Sequence, residues 1–270
     1  MRKRNYLIGL VAVLATSVAV PAAAHAKIAP GSPTTITPAP SPVKQKKKKR
    51  GGIRLGFTTT TRHVAPHQVL QPASRVVVDF DKDFTFKSGR KPRCNAGLLS
   101  NTSTAVARAR CGSAQVGDGF ATTRGSDGSL TQEIVSAFNG VPSGGGLQLL
   151  LHVRITQANT TLVLPGNLVA SPLGGQYGKR LDVSPIANSA PTGRQLETFF
   201  VNIPKQVVKK KTKRNKKTGK KKTIKTFYVS ARCSKGKTWD FSSTNQHYGG
   251  PTTNDTATVR CKQKKKKKKR

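Results

Sequence analysis

Apolar and polar residues alternate with a period of two along many short segments of this chain, and that pattern confines it to β-strands. In Leu147–Ile155, Leu147, Leu149, Leu151, Val153 and Ile155 share one face; Gln148, His152 and Arg154 share the other, together with Leu150. Leu181 and Val183 alternate with Arg180, Asp182 and Ser184, and Phe199, Val201 and Ile203 with Asn202. Phe227 and Val229 alternate with Tyr228 and Ser230, and Ala257 and Val259 with Thr256, Thr258 and Arg260. Residues 75–80 add a short β-branched run. Successive side chains of a strand point to opposite faces, so this repeat marks half-buried strands. Gly144-Gly145-Gly146, Pro165-Gly166-Asn167, Gly174-Gly175 and Gly249-Gly250-Pro251 separate them as turns. Helical periodicity with caps is nearly absent, and residues 130–138 read equally as a short helix or a strand. The expected fold is all-β, a single β-sandwich or jelly-roll-like domain.

Composition divides the chain into four parts. Residues 1–26 read as a cleaved export signal: basic Arg2, Lys3 and Arg4, an apolar run from Tyr6 to Val20, and a small-residue end at Ala24-His25-Ala26. Residues 27–52 read as an extended linker, with Pro30, Pro33, Pro38, Pro40 and Pro42 followed by lysines. Residues 53–262 form the globular body, and 263–270 a basic tail. No later stretch is apolar enough to cross a bilayer as a helix, so a secreted or wall-associated location is expected.

Cys94, Cys111, Cys233 and Cys261 make an even set in a chain addressed outward, so two disulfides are expected and no metal site. Three pairings are open. Sequence separation favours Cys94–Cys111 and Cys233–Cys261, and the strand phase of Ala231–Cys233 and Val259–Cys261 supports the second pair.

The chain carries 49 Lys and Arg against 10 Asp and Glu, a net charge of +39. Residues 44–50 hold six basic side chains, 205–225 hold twelve, and 262–270 hold eight. Such runs repel themselves and stay hydrated, so mobile tails and a basic hairpin tip around Thr218-Gly219 are expected. They also bind polyanions by releasing counterions. The candidate contacts are Lys46, Lys47, Lys48, Lys49, Lys209, Lys210, Lys211, Lys220, Lys221, Lys222, Lys264, Lys265 and Lys266. Lysine rather than arginine favours diffuse attraction over bidentate recognition. The absence of interleaved aromatics argues against a dedicated single-strand binder.

Three constellations invite a chemical reading. Asp79, Asp81 and Asp83 alternate and read as a surface acidic stripe, or as carboxylates for a sugar site with Trp239 and Tyr248 as platforms. An EF-hand fails, because Phe84 and Arg90 stand where glycine and glutamate are needed. Residues 231–238 fit a relaxed phosphate loop, but Trp239-Asp240-Phe241 is no helix start. His63 and His67, with Pro66 between them, give little reason for a zinc site. His152, on the polar face of its strand, reads as a surface histidine.

The run Asp83-Phe84-Thr85-Phe86 before Cys94, then Cys111-Gly112-Ser113-Ala114-Gln115-Val116-Gly117-Asp118-Gly119, Gln176-Tyr177-Gly178-Lys179-Arg180-Leu181 and Cys233-Ser234-Lys235-Gly236-Lys237-Thr238-Trp239-Asp240-Phe241 resembles a group of exported, β-rich, disulfide-containing proteins of actinobacteria. The resemblance covers about residues 53–262, implies secretion and a disulfide-bearing β domain, and transfers no activity or site residue. The expectation is a non-enzymatic envelope protein without a cofactor, associating with anionic cell-envelope polymers through its lysines. The alternatives are a carbohydrate-binding or carbohydrate-active jelly roll and a non-specific extracellular nucleic-acid binder.

Overall fold

The computed structural model describes residues 34–62, 73–125, 128–142, 146–157, 159–186, 194–214, 219, 221–234, 236–248 and 250–264. The signal segment 1–26, His63, His67, Lys220, Lys265 and Lys266 lie outside the described residues.

In chain order the strands are β1 (Thr34–Ser41), β2 (Lys44–Gln45), β3 (Gly51–Gly52), β4 (Arg54–Thr61), β5 (Ala73–Asp81) and β6 (Phe84–Phe86). After a helix α1 (Thr104–Cys111) follow β7 (Gln115–Gly125), β8 (Leu130–Asn139), β9 (Leu147–Ile155), β10 (Thr160–Ala170) and β11 (Tyr177–Val183). Then come β12 (Arg194–Ile203), β13 (Val207–Arg214), β14 (Lys221–Phe227), β15 (Val229–Ala231), β16 (Thr238–His247), β17 (Thr253–Arg260) and β18 (Lys262–Gln263). The fold is all-β. Eleven strands form one sheet, in the order β1-β4-β12-β7-β8-β9-β10-β11-β5-β16-β17. It curls until β17 lies against β1, so the two layers that a sandwich takes from two sheets are opposite walls of one nearly closed barrel.

The alternation read from sequence sets which side faces in. Leu55, Phe57, Val78, Phe80, Leu149, Leu151, Leu181, Val183, Val201, Ile203, Trp239 and Phe241 all point into the barrel and are buried. Phe80, Phe84, Phe86, Trp239 and Phe241 form an aromatic cluster with ring centroids 5.1–6.4 Å apart. Trp239 donates its indole N–H to the Arg232 carbonyl at 2.7 Å, so this buried ring leaves no donor unpaired.

All ladders in the large sheet are antiparallel. With an odd number of strands, the two at the seam must run parallel, and β1 meets β17 without a ladder. The sequence of β1 explains the gap. The Ile36 N–H points to the seam and donates to the Asp255 carboxylate at 2.7 Å. Residues two and four further on face the same way, and they are Pro38 and Pro40, which have no N–H to offer. Beyond the prolines the seam is zipped by a short parallel pair, β2 with β18, in which Lys44 lies opposite Lys262.

Two expectations are corrected here. Residues 27–52 are not an unpacked linker throughout: Thr34–Ser41 is a full sheet strand, and Ile36 is buried. Proline fits it because an edge position needs no N–H on one side. Nor are the lysine tracts wholly unpaired, since residues 44–46 and 262–264 are tied through their backbones. Lys262 N–H donates to Val43 O, Lys264 N–H to Gln45 O, and Cys233 N–H to Lys46 O, at 2.8–3.1 Å.

Residues 87–114 form a cap over the outer face of β8 and β9. There Phe138 and Leu150 meet Leu99, Ala107 and Ala114 in a second small core. Helix α1 was not foreseen. Its signal was Ser103, whose hydroxyl accepts from the Val106 N–H, ahead of an alanine- and arginine-rich run. The ambiguous residues 130–138 are strand β8. Both favoured disulfides are present: Cys94–Cys111 closes the cap, and Cys233–Cys261 ties the segment after β15 to the end of β17. In the chain-entropy account each stabilises the fold by about 3 kcal/mol.

Candidate functional site

Every lysine among the described residues lies at one end of the barrel. This is the end where β1, β5, β8, β10, β12 and β17 finish and where β4, β7, β9, β11 and β16 begin. Three tracts far apart in sequence reach it by different routes. Residues 44–50 leave β1 through β2. Residues 262–264 leave β17 through β18, alongside β2. The third tract is the β13–β14 ribbon, whose base packs on β3, directly after the first tract. The Phe227 ring fills the space where a Cβ on Gly52 would stand, 2.2 Å from its nearest atom, so only glycine fits there. The small sheet β3-β15-β6 therefore holds the ribbon and the first tract together.

The ribbon is the predicted basic hairpin, with Gly219 at φ +62° in its turn. Its register puts Lys209, Lys211 and Lys213 on one face and Lys210, Arg214, Lys221 and Lys225 on the other; Lys222 is the position opposite Lys213. Neither face is apolar, so the ribbon cannot lie down on the barrel. At about 3.4 Å per residue its eight-residue strand β13 is about 27 Å long. Lys46, Lys47, Lys48, Lys49, Lys209, Lys210, Lys211, Lys221 and Lys264 are all exposed.

The carboxylates are distributed the opposite way. Of the described Asp and Glu residues, only Asp118 is exposed. Asp79 is fully buried and accepts both forks of Arg180 at 2.8 and 2.9 Å, with the Ser171 hydroxyl at 2.6 Å. Asp83 is equally buried; it takes Arg232 at 2.6 Å and the Ser234 N–H at 2.9 Å. Asp81 accepts from the Asp83 and Asp240 N–H groups, and burial pushes its carboxyl above the usual range. The Arg75 hydrogen bond holds Asp182 below that range. Glu197 pairs with Arg124, Glu133 accepts the Thr156 N–H, and Asp255 accepts at the seam. Among the described residues, internal anchors take most of the acids, and the exposed charge is almost all basic.

This corrects the reading of residues 79–83 as a surface stripe. The three aspartates hold β5 to β11 and the turn after β5 to the turn before β16. They are sealed from solvent, and no group of three or more metal-ligating side chains occurs among the described residues. The sugar platforms do not join them: Trp239 is fully buried, and Tyr248, though exposed, follows the far end of β16 and donates its hydroxyl to Ile186 O at 2.6 Å. In the loop-like run 231–238 the Ser234 N–H turns inward to Asp83, and Thr238 starts a strand, so no helix N-terminus faces a phosphate. His152 is not at the surface either. The cap covers it, its Nε2 lies 3.1 Å from Thr102 O, and burial lowers its pKa, with Arg154 and Arg108 adding to the effect. Leu150 on the same face was the sequence sign of that cover.

Toward the opposite barrel end the walls line a partly open pocket of about 80 Å³, with Phe57, Leu151, Leu164, Leu181 and Phe199 on its walls and Thr59 its polar group. That is about half the ~150 Å³ of an engineered cavity that takes benzene. No titratable side chain lines it.

No protein-family model, curated protein or solved structure matches this chain.

Proposed function

We propose that this is an exported, non-enzymatic protein that binds anionic cell-envelope polymers through a basic pole at one end of its barrel. The observation that carries the reading is the convergence of three lysine tracts on that end, while, of the described carboxylates, all but Asp118 are buried or half-buried. A pole of one sign concentrates counterions, and their release on binding gives a large, salt-sensitive affinity for any polyanion. Fixing the tracts at their roots and leaving their lysines free suits a surface that grips a flexible polymer without reading its sequence. Export rests on the basic-apolar-small pattern of residues 1–26; two disulfides are compatible with it. The resemblance to exported actinobacterial proteins points the same way.

Nucleic acid is the second reading, because a two-stranded ribbon of this kind fits the major groove of a duplex. The test is a salt-titrated pulldown on purified cell walls, with duplex DNA of equal charge as competitor. A variant with Lys209, Lys210, Lys211 and Lys213 replaced by Ser is run beside the parent. Steep loss of wall binding with salt, and a shallower slope in the substituted protein, supports the envelope reading. Each lysine that contacts a phosphate should remove about one unit from the log–log slope. Preference for DNA over walls favours the second reading. Wall binding indifferent to salt and to the substitutions overturns both.

A further inference from the structure

The basic pole carries arginines of a different kind from its lysine tracts. No Asp or Glu occurs from residue 84 to residue 117, a span that holds Lys87, Arg90, Lys91, Arg93, Arg108 and Arg110. This span is β6, the cap and the start of β7, so a stretch of chain without acids runs from the lysine end onto the side of the barrel, where the exposed Asp118 follows it on β7, opposite the Ser136 that Arg108 contacts. Its first basic residue, Lys87, is bound by its N–H to Tyr228 O, between the ribbon and β15. The four arginines are exposed, and none is paired with a carboxylate among the described residues.

Two of them are kept within a bounded distance by covalent structure. Arg93 precedes Cys94 and Arg110 precedes Cys111, and the bridged cysteines stand 5.6 Å apart at Cα. With one peptide step on either side, the two arginine Cα atoms are at most about 13 Å apart, within the joint reach of two such side chains. Arg93 has no side-chain partner among the described residues, and Arg110 makes only a 3.4 Å contact to Leu98 O. The platform beneath them is rigid. The Asn139 side-chain amide lies within 3.2 Å of three carbonyls, those of Ser88, Lys91 and Pro92, and Cys94 N–H donates to Asn139 O.

We infer that the Cys94–Cys111 cap is a phosphate-anchoring site, with Arg93 and Arg110 as its paired forks; Arg108, two residues before Arg110 on α1, turns instead toward Ser136. The inference rests on the polyanion reading and names the chemical group that the pole holds most firmly. Arginine presents a planar fork that matches an oxyanion bidentately, whereas lysine offers a point charge. One fork satisfies the two oxygens of a carboxylate. Two forks side by side suit a phosphate, whose oxygens face more than one direction. Lysine tracts would then supply attraction, and the cap the preference for phosphate over other anions of equal charge.

The test keeps charge constant. R93K/R110K, both substitutions on exposed positions, is compared with the parent for binding to inorganic polyphosphate and to poly-glutamate of equal charge at ~0.3 M salt, where diffuse attraction is screened. The expected result is a loss of about tenfold against polyphosphate and a change of less than about twofold against poly-glutamate. Unchanged thermal unfolding of the variant shows that the cap is intact; if it does unfold earlier, R93K alone, which breaks no side-chain hydrogen bond among the described residues, repeats the comparison. Equal loss on both polymers, or none on either, overturns the phosphate site while the polyanion reading stands. Failure of the parent to bind either polymer with salt dependence at low salt overturns the reading beneath it.

Discussion

At the scale of single residues, the chain spends its few carboxylates on internal anchors. Asp79 has no solvent exposure, and its partner Arg180 is 17 % exposed. Removing the acid strands a guanidinium in the sheet, which costs about 3–5 kcal/mol in comparable buried pairs. Asp79→Ala should therefore unfold at a much lower urea midpoint; a loss below about 1 kcal/mol would show that the pair is not structurally important. His152 makes a second prediction. Burial lowers its folded pKa beneath the unfolded value near 6.5, so the native state binds fewer protons than the unfolded one. Its contribution is complete above about pH 6.5 and is lost as pH falls from there toward the lowered folded pKa. Stability measured by urea titration should decline across that window, and His152→Gln should flatten the decline. Both residues were visible in the sequence, but their roles were not. Period two shows that Asp79, Asp81 and Asp83 share a side. It does not show that Arg180, Arg232 and two backbone turns come from distant segments to cover them.

At the scale of elements, most strands whose two faces obeyed the period were legible; residues 227–230 are the exception, a run that breaks at Tyr228 between β14 and β15 and buries both Tyr228 and Ser230. Leu147–Ile155, Leu181–Val183, Phe199–Ile203 and Ala257–Val259 fall within β9, β11, β12 and β17. The pattern gave way where an element serves something other than a two-sided strand. β1 hid behind its prolines because the seam it lines needs no N–H. Helix α1, eight residues long, is too short for helical periodicity to register. The convergence of the tracts was not legible, because nothing local reveals that β2 and β18 are neighbours. Their pairing sets lysines beside lysines, and the backbone bonds together with Gln263 offset the repulsion. Gln263 donates to Cys233 O and Ser234 O at 3.3 and 2.6 Å. Gln263→Ala should lower stability by about 1 kcal/mol or more, and the loss should grow at low ionic strength, where lysine repulsion is unscreened. A loss independent of salt would separate Gln263 from the closure of the seam.

At the scale of the molecule, one end of the barrel carries the lysines and the other an apolar pocket. With most of its described acids drawn into internal pairs, the surface is left with an excess of positive charge that repels itself. Raising salt from ~0.01 to ~0.3 M should therefore raise the melting temperature: exposed lysine repulsion is screened over that range, and the buried pairs of Asp79 and Asp83 are screened much less. The same pole is the proposed site, and a footprint tests it most directly. Lysine acetylation and arginine modification, read by mass spectrometry with and without purified wall polymer, report which side chains the polymer covers. Protection confined to Lys46–Lys49, Lys87, Lys91, the ribbon lysines and the cap arginines, with Arg62 and Arg124 at the far end left reactive, is the predicted result. Equal protection of Arg62 and Arg124 with the pole, or no protection of the ribbon, would contradict it.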